Sequence, residues 1–335
     1  MDKNVSIRIS VLRYLMIAGI VILHVPPYVP LNETGAGLFP FIKAFFSHGV
    51  FRSTVPVLAC ISGFLLFSSS LDRDTPKLLA KKIRGLALPM FIWNFPLALL
   101  IYAIQAQGLF DISFSETLHP FNLENWMNAV FGVFSEPVNY PLNFLRDLFV
   151  IALLAPVFGI FLRKIPWVGL AIVSVFFWYN LDGELVLRNT MPINFYIGGM
   201  AAILAWDLKK LDHLWVWLLL ILIFSCFMIV YYEIGDRRWF KIVSPFLIWP
   251  LSACALNFPA GKTLARMSKF SFFIFLSHGP LLLIVWQLYS RIPGDSFYPV
   301  FWFVAPIIVV FTAQAVYLFF RTTTPGLLQF LLGGR

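Results

Sequence analysis

The chain has 335 residues, 60% hydrophobic and 18% aromatic, with only 12% charged residues and a formal net charge of +9. Its mean hydropathy of +0.83 excludes a soluble domain, which needs a charged exterior that this chain cannot supply. The positive charge does not indicate nucleic acid, because the basic residues fall in short clusters between apolar segments, the pattern of membrane topology.

The first apolar segment includes RYLMIAGIVILH, residues 13–24. It lacks a small-residue cleavage site and continues into HVPPYVP, so it reads as a retained span and not a signal peptide. Eleven helical steps return to within roughly 20° of the starting direction over a rise of about 16 Å, which puts Arg13 and His24 on one face three turns apart. Taken singly, Arg13 also fits a side chain snorkelling to the headgroups, and His24 a neutral, hydrogen-bonded packing residue.

Further along, the second span carries CISGFLLFSSS, where Ser62 and Gly63 suit a small-residue helix contact. The stretch KLLAKKIRGLALP then concentrates Lys77, Lys81, Lys82 and Arg84, either as a topology signal or as a phosphate-binding entrance. The long connection over residues 108–143 contains the amphipathic NWMNAVFGVF, which suits a lid over an external opening or a loop packed on the bundle. Arg146 and Asp147 open the fourth span in NFLRDLF, paired with each other or with another span. In the ninth span, KFSFFIFLSHGPLLL places His278 near mid-membrane, ahead of Gly279 and Pro280, which loosen the helix.

Windows able to cross a hydrocarbon core of about 30 Å recur about ten times, centred near Ala18, Leu58, Leu97, Leu153, Val173, Met200, Ile223, Ile248, Leu282 and Ile308. With a cytoplasmic N-terminus, the inside loops hold Lys3, Arg8, Arg73, Lys77, Lys81, Lys82, Arg84, Arg163, Lys164, Lys209, Lys210, Lys262, Arg266, Lys269, Arg321 and Arg335. Outside segments hold only Lys43, Arg52, Arg188, Arg237, Arg238, Lys241 and Arg291. The expected architecture is an all-α integral membrane bundle of about ten helices, one domain over residues 1–335, with both termini cytoplasmic.

Cys60, Cys226 and Cys254 lie in apolar runs without metal-ligand spacing and read as small core residues, so no metal is expected. The chain has no GxSxG elbow, HExxH, phosphate-cradling GxxxxGK[ST] or dinucleotide fingerprint. Any chemistry must come from residues brought together across spans. From these residues alone, a secondary transporter or glycan flippase with Arg13, His24, Asp147 and His278 as a proton relay is the rival to an enzyme, although no inverted repeat supports it.

Taken in order, Arg13 to His24, the SGF of the second span, the basic stretch before LALP, FLRDLF and FSFFIFLSHGP resemble the acyltransferase 3 family of bacterial integral membrane proteins across nearly the whole chain. The opening VSIRISVLRYLMIAGIVILH is most similar to the members that succinylate exopolysaccharide (succinoglycan). The family often has two arginines three apart in the basic stretch, whereas this chain has Lys81 and Arg84; lysine offers a point charge in place of a planar fork.

The resemblance implies transfer of an acyl group, succinyl or acetyl, from cytoplasmic acyl-CoA as co-substrate to a sugar hydroxyl of a polysaccharide or undecaprenyl-linked oligosaccharide in the bacterial inner membrane. No tightly bound cofactor and no nucleic acid partner is expected, and membrane lipid surrounds the chain. In that reading His24 is the general base, Arg13 or Arg146 stabilises the oxyanion or holds the donor, and His278 orients the substrate or assists proton transfer. Lys81, Lys82 and Arg84, with Ser62, Arg146 and Asp147, are the expected substrate-binding residues. A succinyl carboxylate needs a cationic partner, for which Arg146, Arg52 and Lys43 are candidates.

Overall fold

The computed structural model describes residues 2–108, 116–292 and 297–334, so Arg335 and part of the long connection lie outside the described residues. Every regular element among the described residues is helical. In chain order these are α1 Lys3–Leu23, α2 Leu38–Ser68, α3 Thr75–Gln107, α4 Leu123–Phe131, α5 Tyr140–Leu153, α6 Ala155–Lys164, α7 Pro166–Trp178 and α8 Thr190–Ile203. They continue as α9 Asp212–Tyr231, α10 Arg238–Asn257, α11 Pro259–Tyr289, α12 Tyr298–Thr323 and α13 Pro325–Leu331.

Among the described residues, seven helices are long and apolar enough to cross a membrane: α1, α2, α3, α9, α10, α11 and α12. The pair α5 and α6, bent by 55°, makes an eighth if counted as one span. The expected centres at Val173 and Met200 fall on α7 and α8, which have only 13 and 14 residues. Apolar windows in the sequence run on through such breaks, because a hydropathy window does not register where the backbone turns. Between α5 and α6 the turn comes at Leu154, with Pro156 in the first turn of the next helix.

Helix α1 is the axis of the bundle. Asp2 caps it by accepting from the Asn4 N–H at 2.9 Å, and Ile20 and Val21 are among its buried core residues. It packs on α2, α11 and α12. Helices α2 and α8 approach most closely: a Cβ at Gly63 would collide with the Phe195 carbonyl, and one at Gly198 with the Cys60 carbonyl. Gly63 thus makes the small-residue contact expected of its sequence context. The outer faces, such as Trp217 and Phe224 of α9, expose large apolar side chains suited to lipid.

Two helices contain π-helical segments, Phe45–Gly49 in α2 and Ile83–Ala87 in α3. Such segments break the regular i→i−4 ladder and re-aim the residues that follow. Helix α4, the amphipathic piece, packs against α3, with the Asn94 amide donating to the Val130 carbonyl at 2.8 Å. The described part of the long connection is thus held against the bundle.

Candidate active site

Two cavities lie at successive levels along α1. One, of about 490 Å³, is lined by Arg13, Ile17, Leu58, Ser62, Lys81 and Lys82 among others. The second, of about 520 Å³, begins one turn further on, at Ile20, Leu23 and His24. Phe144 and Phe275 line both, and their rings meet edge-on, with centroids 5.7 Å apart at 72°. The spacing of Arg13 and His24 therefore serves two chambers divided by an aromatic wall, and the two side chains do not converge on one point.

His24 follows the last residue of α1 as its C-cap. Its Nδ1 is 3.3 Å from Nε2 of the fully buried His278. Nδ1 of His278 is 2.7 Å from the Phe275 carbonyl. A carbonyl only accepts, so that nitrogen carries the proton, and the Nε2 of a neutral His278 is an acceptor. His24 then donates from Nδ1, which leaves its own Nε2 as a lone-pair acceptor. The chain of bonds fixes the tautomer of the histidine that lines the cavity.

The residues after His278 explain how α11 holds it. Pro280 has no N–H, so the Leu276 carbonyl loses its helical donor. The Asn139 amide donates to that carbonyl at 3.3 Å. Gly279 leaves room for it, since a Cβ there would strike Asn139 Oδ1. The same device recurs in α10: Pro245 releases the Lys241 carbonyl, which accepts from Asn194 at 3.2 Å. Neither asparagine stands out in the sequence, because its partner is a carbonyl freed by a proline on another span.

Lys81, Lys82 and Ser62 line the Arg13 cavity as a group, together with Gly85 and Leu86 of the π segment. The Ser62 hydroxyl donates to the Leu58 carbonyl at 2.7 Å. Arg84 is exposed and does not line that cavity; its carbonyl instead packs against Gly333.

Arg146 and Asp147 line neither chamber. The Arg146 guanidinium donates to the carbonyls of Gly132 (2.9 Å), Val133 (3.1 Å) and Leu185 (2.5 Å) and to Asp147 at 3.0 Å. Asp147 also accepts the N–H groups of Leu187 and Arg188, each at 3.1 Å. The pair ties the long connection to the segment ahead of α8, beside the histidine cavity.

Sequence reasoning assigned Arg188 and Lys241 to the outside only as topology charges, yet both line the His24 cavity with Arg52. Lys43 does not line it; it donates to the Pro27 carbonyl at 3.1 Å and the Tyr298 hydroxyl at 2.7 Å. Arg8, counted as a loop charge, is fully buried and donates to Ser252, to the Trp249 carbonyl and to both carboxylate oxygens of Asp212.

A multi-pass helical chain with one chamber lined by His24, hydrogen-bonded to the buried His278 behind it, and a basic chamber on the far side has the parts of a membrane-embedded transferase. A family model described as an acyltransferase domain matches residues 6–321, and the chain belongs to this acyltransferase 3 family. It is accordingly a multi-pass membrane O-acyltransferase. It is also similar to succinoglycan biosynthesis protein ExoH of Rhizobium meliloti (strain 1021), with 33% identity over 350 aligned positions covering 100% of this chain and 94% of that protein. No solved structure matches.

Proposed function

We propose that the protein transfers a succinyl group from cytoplasmic succinyl-CoA to a sugar hydroxyl of a bacterial exopolysaccharide or its undecaprenyl-linked precursor, with acetyl as the alternative group. The similarity to a succinoglycan biosynthesis protein supports the substrate class. The observation that supports the mechanism is the pair of chambers whose linings have only Phe144 and Phe275 in common among the described residues.

In this reading the chamber of Arg13, Lys81 and Lys82 receives the phosphates and pantetheine arm of the donor. Its thioester passes the aromatic wall to His24. The acceptor hydroxyl attacks the thioester carbon while Nε2 of His24 takes its proton. The carbon–sulfur bond then breaks, and the proton passes from His24 to the departing CoA thiolate. His278 acts as a positioning residue, keeping that Nε2 unprotonated by accepting from the other nitrogen. Arg13 holds the donor and does not stabilise the oxyanion, since it lies about 16 Å along the helix from His24.

The topology follows the same reading. The bent pair α5–α6 crosses once, α7 and α8 cross as short spans, and the ten crossings leave both termini in the cytoplasm of a cell with this protein in its inner membrane. The test supplies purified protein in nanodiscs with radiolabelled succinyl-CoA and an undecaprenyl-linked oligosaccharide. Label should move to the lipid-linked sugar with wild type and not with His24→Ala. No transfer by wild type from either succinyl-CoA or acetyl-CoA would overturn the reading.

A further inference from the structure

The histidine cavity carries positive charge without a matching anion. Arg52, Arg188 and Lys241 all line it, from α2, from the segment before α8, and from α10, and no Asp or Glu is among its lining residues. Their partners are few. Arg52 donates to the Tyr28 hydroxyl at 3.3 Å, and its buried Nε has no hydrogen-bond partner. Nη1 of Arg188 is 3.6 Å from Asp147, beyond a hydrogen bond, and is otherwise unpartnered. Lys241 makes no side-chain hydrogen bond or ion pair among the described residues, and it shares the cavity lining with Arg52 and Arg188.

Nearby carboxylates are already committed. Asp147 serves Arg146 and two backbone N–H groups. Asp236 is gripped by Arg238, whose side chain is the first cause holding its carboxyl down at about 2. Arg237, which donates to His48 at 3.0 Å, adds a further positive charge nearby. Like charges held together in a partly dehydrated chamber repel strongly, and a bound anion relieves that repulsion.

We propose that Arg52, Arg188 and Lys241 form a subsite for a carboxylate carried by one of the two substrates, beside the reacting carbonyl at His24. The proposal rests on the acyl-transfer reading above and deepens it. A succinyl group presents its distal carboxylate three carbon–carbon bonds, roughly 4 Å, from the thioester carbon, a separation that one chamber can hold. The same three cations can instead receive an acidic substituent on the acceptor sugar. The shared chemistry is a carboxylate, and a guanidinium fork with a flexible ammonium is suited to it.

The test compares wild type with Arg52→Gln, Lys241→Gln and the double variant, none of which removes a residue of the proton-transfer chain. The donor arm pairs succinyl-CoA with butyryl-CoA, which has the same carbon chain without the charge, on a neutral oligosaccharide acceptor. The acceptor arm pairs a uronate-containing with a neutral oligosaccharide, using acetyl-CoA. A carboxylate on the donor predicts that each variant lowers kcat/KM for succinyl-CoA about tenfold or more while leaving butyryl-CoA within threefold. A carboxylate on the acceptor predicts the same selective loss in the second arm. Lys241→Arg should restore most of whichever preference is lost.

Equal losses for charged and neutral substrates in both arms, or a loss seen only with pyrophosphate-linked lipid acceptors, would overturn the subsite. If wild type transfers nothing from any CoA thioester, the acyl-transfer reading fails, and succinate binding decides the subsite by itself. Succinate but not succinamide should then raise the unfolding temperature of wild type and not of the double variant. Equal behaviour of the two proteins would overturn the proposal.

Discussion

At the scale of single residues, base catalysis depends on which nitrogen of His24 faces the substrate. The Phe275 carbonyl fixes His278, and His278 fixes His24. General-base assistance of this kind is typically worth about 10²- to 10⁴-fold. His24→Ala should therefore lose at least about a hundredfold in kcat while the purified protein keeps its elution profile and unfolding temperature. His278→Ala should lower kcat about tenfold or more and leave the KM for succinyl-CoA within twofold, because it acts through His24 and does not touch the donor. An activity within threefold of wild type for His24→Ala would remove it from the mechanism.

The basic chamber predicts the opposite kinetic pattern. Contacts to CoA phosphates form equally in ground and transition states, so Lys81→Gln and Lys82→Gln should raise KM for acyl-CoA more than they lower kcat. The rise should shrink as salt increases, because the chamber opens to screened solvent. A fall in kcat at unchanged KM would contradict that assignment. The shared face of Arg13 and His24 was legible from helical period alone. That the two line separate chambers was not, because period gives a direction and not the neighbours met along it. Arg188 and Lys241 were hidden for a related reason: in the sequence each is one charge near a predicted span end.

At the scale of elements, two long-range hydrogen bonds, from Asn139 and Asn194, repair what prolines break. Removal of a donor to a buried carbonyl costs about 1–3 kcal/mol, so Asn139→Ala should lower the unfolding temperature measurably and also reduce activity, since it supports the turn that carries His278. Arg146→Met should be more severe, about 3–5 kcal/mol, because it strands the fully buried Asp147 and three carbonyls. Thermal unfolding in one detergent, compared across the variants, checks both. An Arg146→Met protein as stable as wild type, with a raised KM, would return Arg146 to substrate binding. The long apolar helices were legible as hydropathy windows, and Gly63 as a close contact. The bend between α5 and α6, and the π segments, one of which lines the Arg13 chamber, were not, since they arise from packing and leave little local signal.

At the scale of the molecule, the proposed mechanism requires that the donor reach His24 from the membrane face that carries Lys81 and Lys82. Helix α1 spans both chambers, and the Phe144–Phe275 contact divides them. The family and the all-helical fold were within reach of the sequence because ordered motifs and hydropathy survive without coordinates. The division into two chambers was not, because Phe144 and Phe275 are ordinary apolar residues until their rings meet. Sealed proteoliposomes of known orientation, given succinyl-CoA on one face at a time, test the claim most directly. Transfer should occur only when succinyl-CoA is on the face that carries Lys81 and Lys82; transfer supported only from the opposite face would contradict both the donor chamber and the topology.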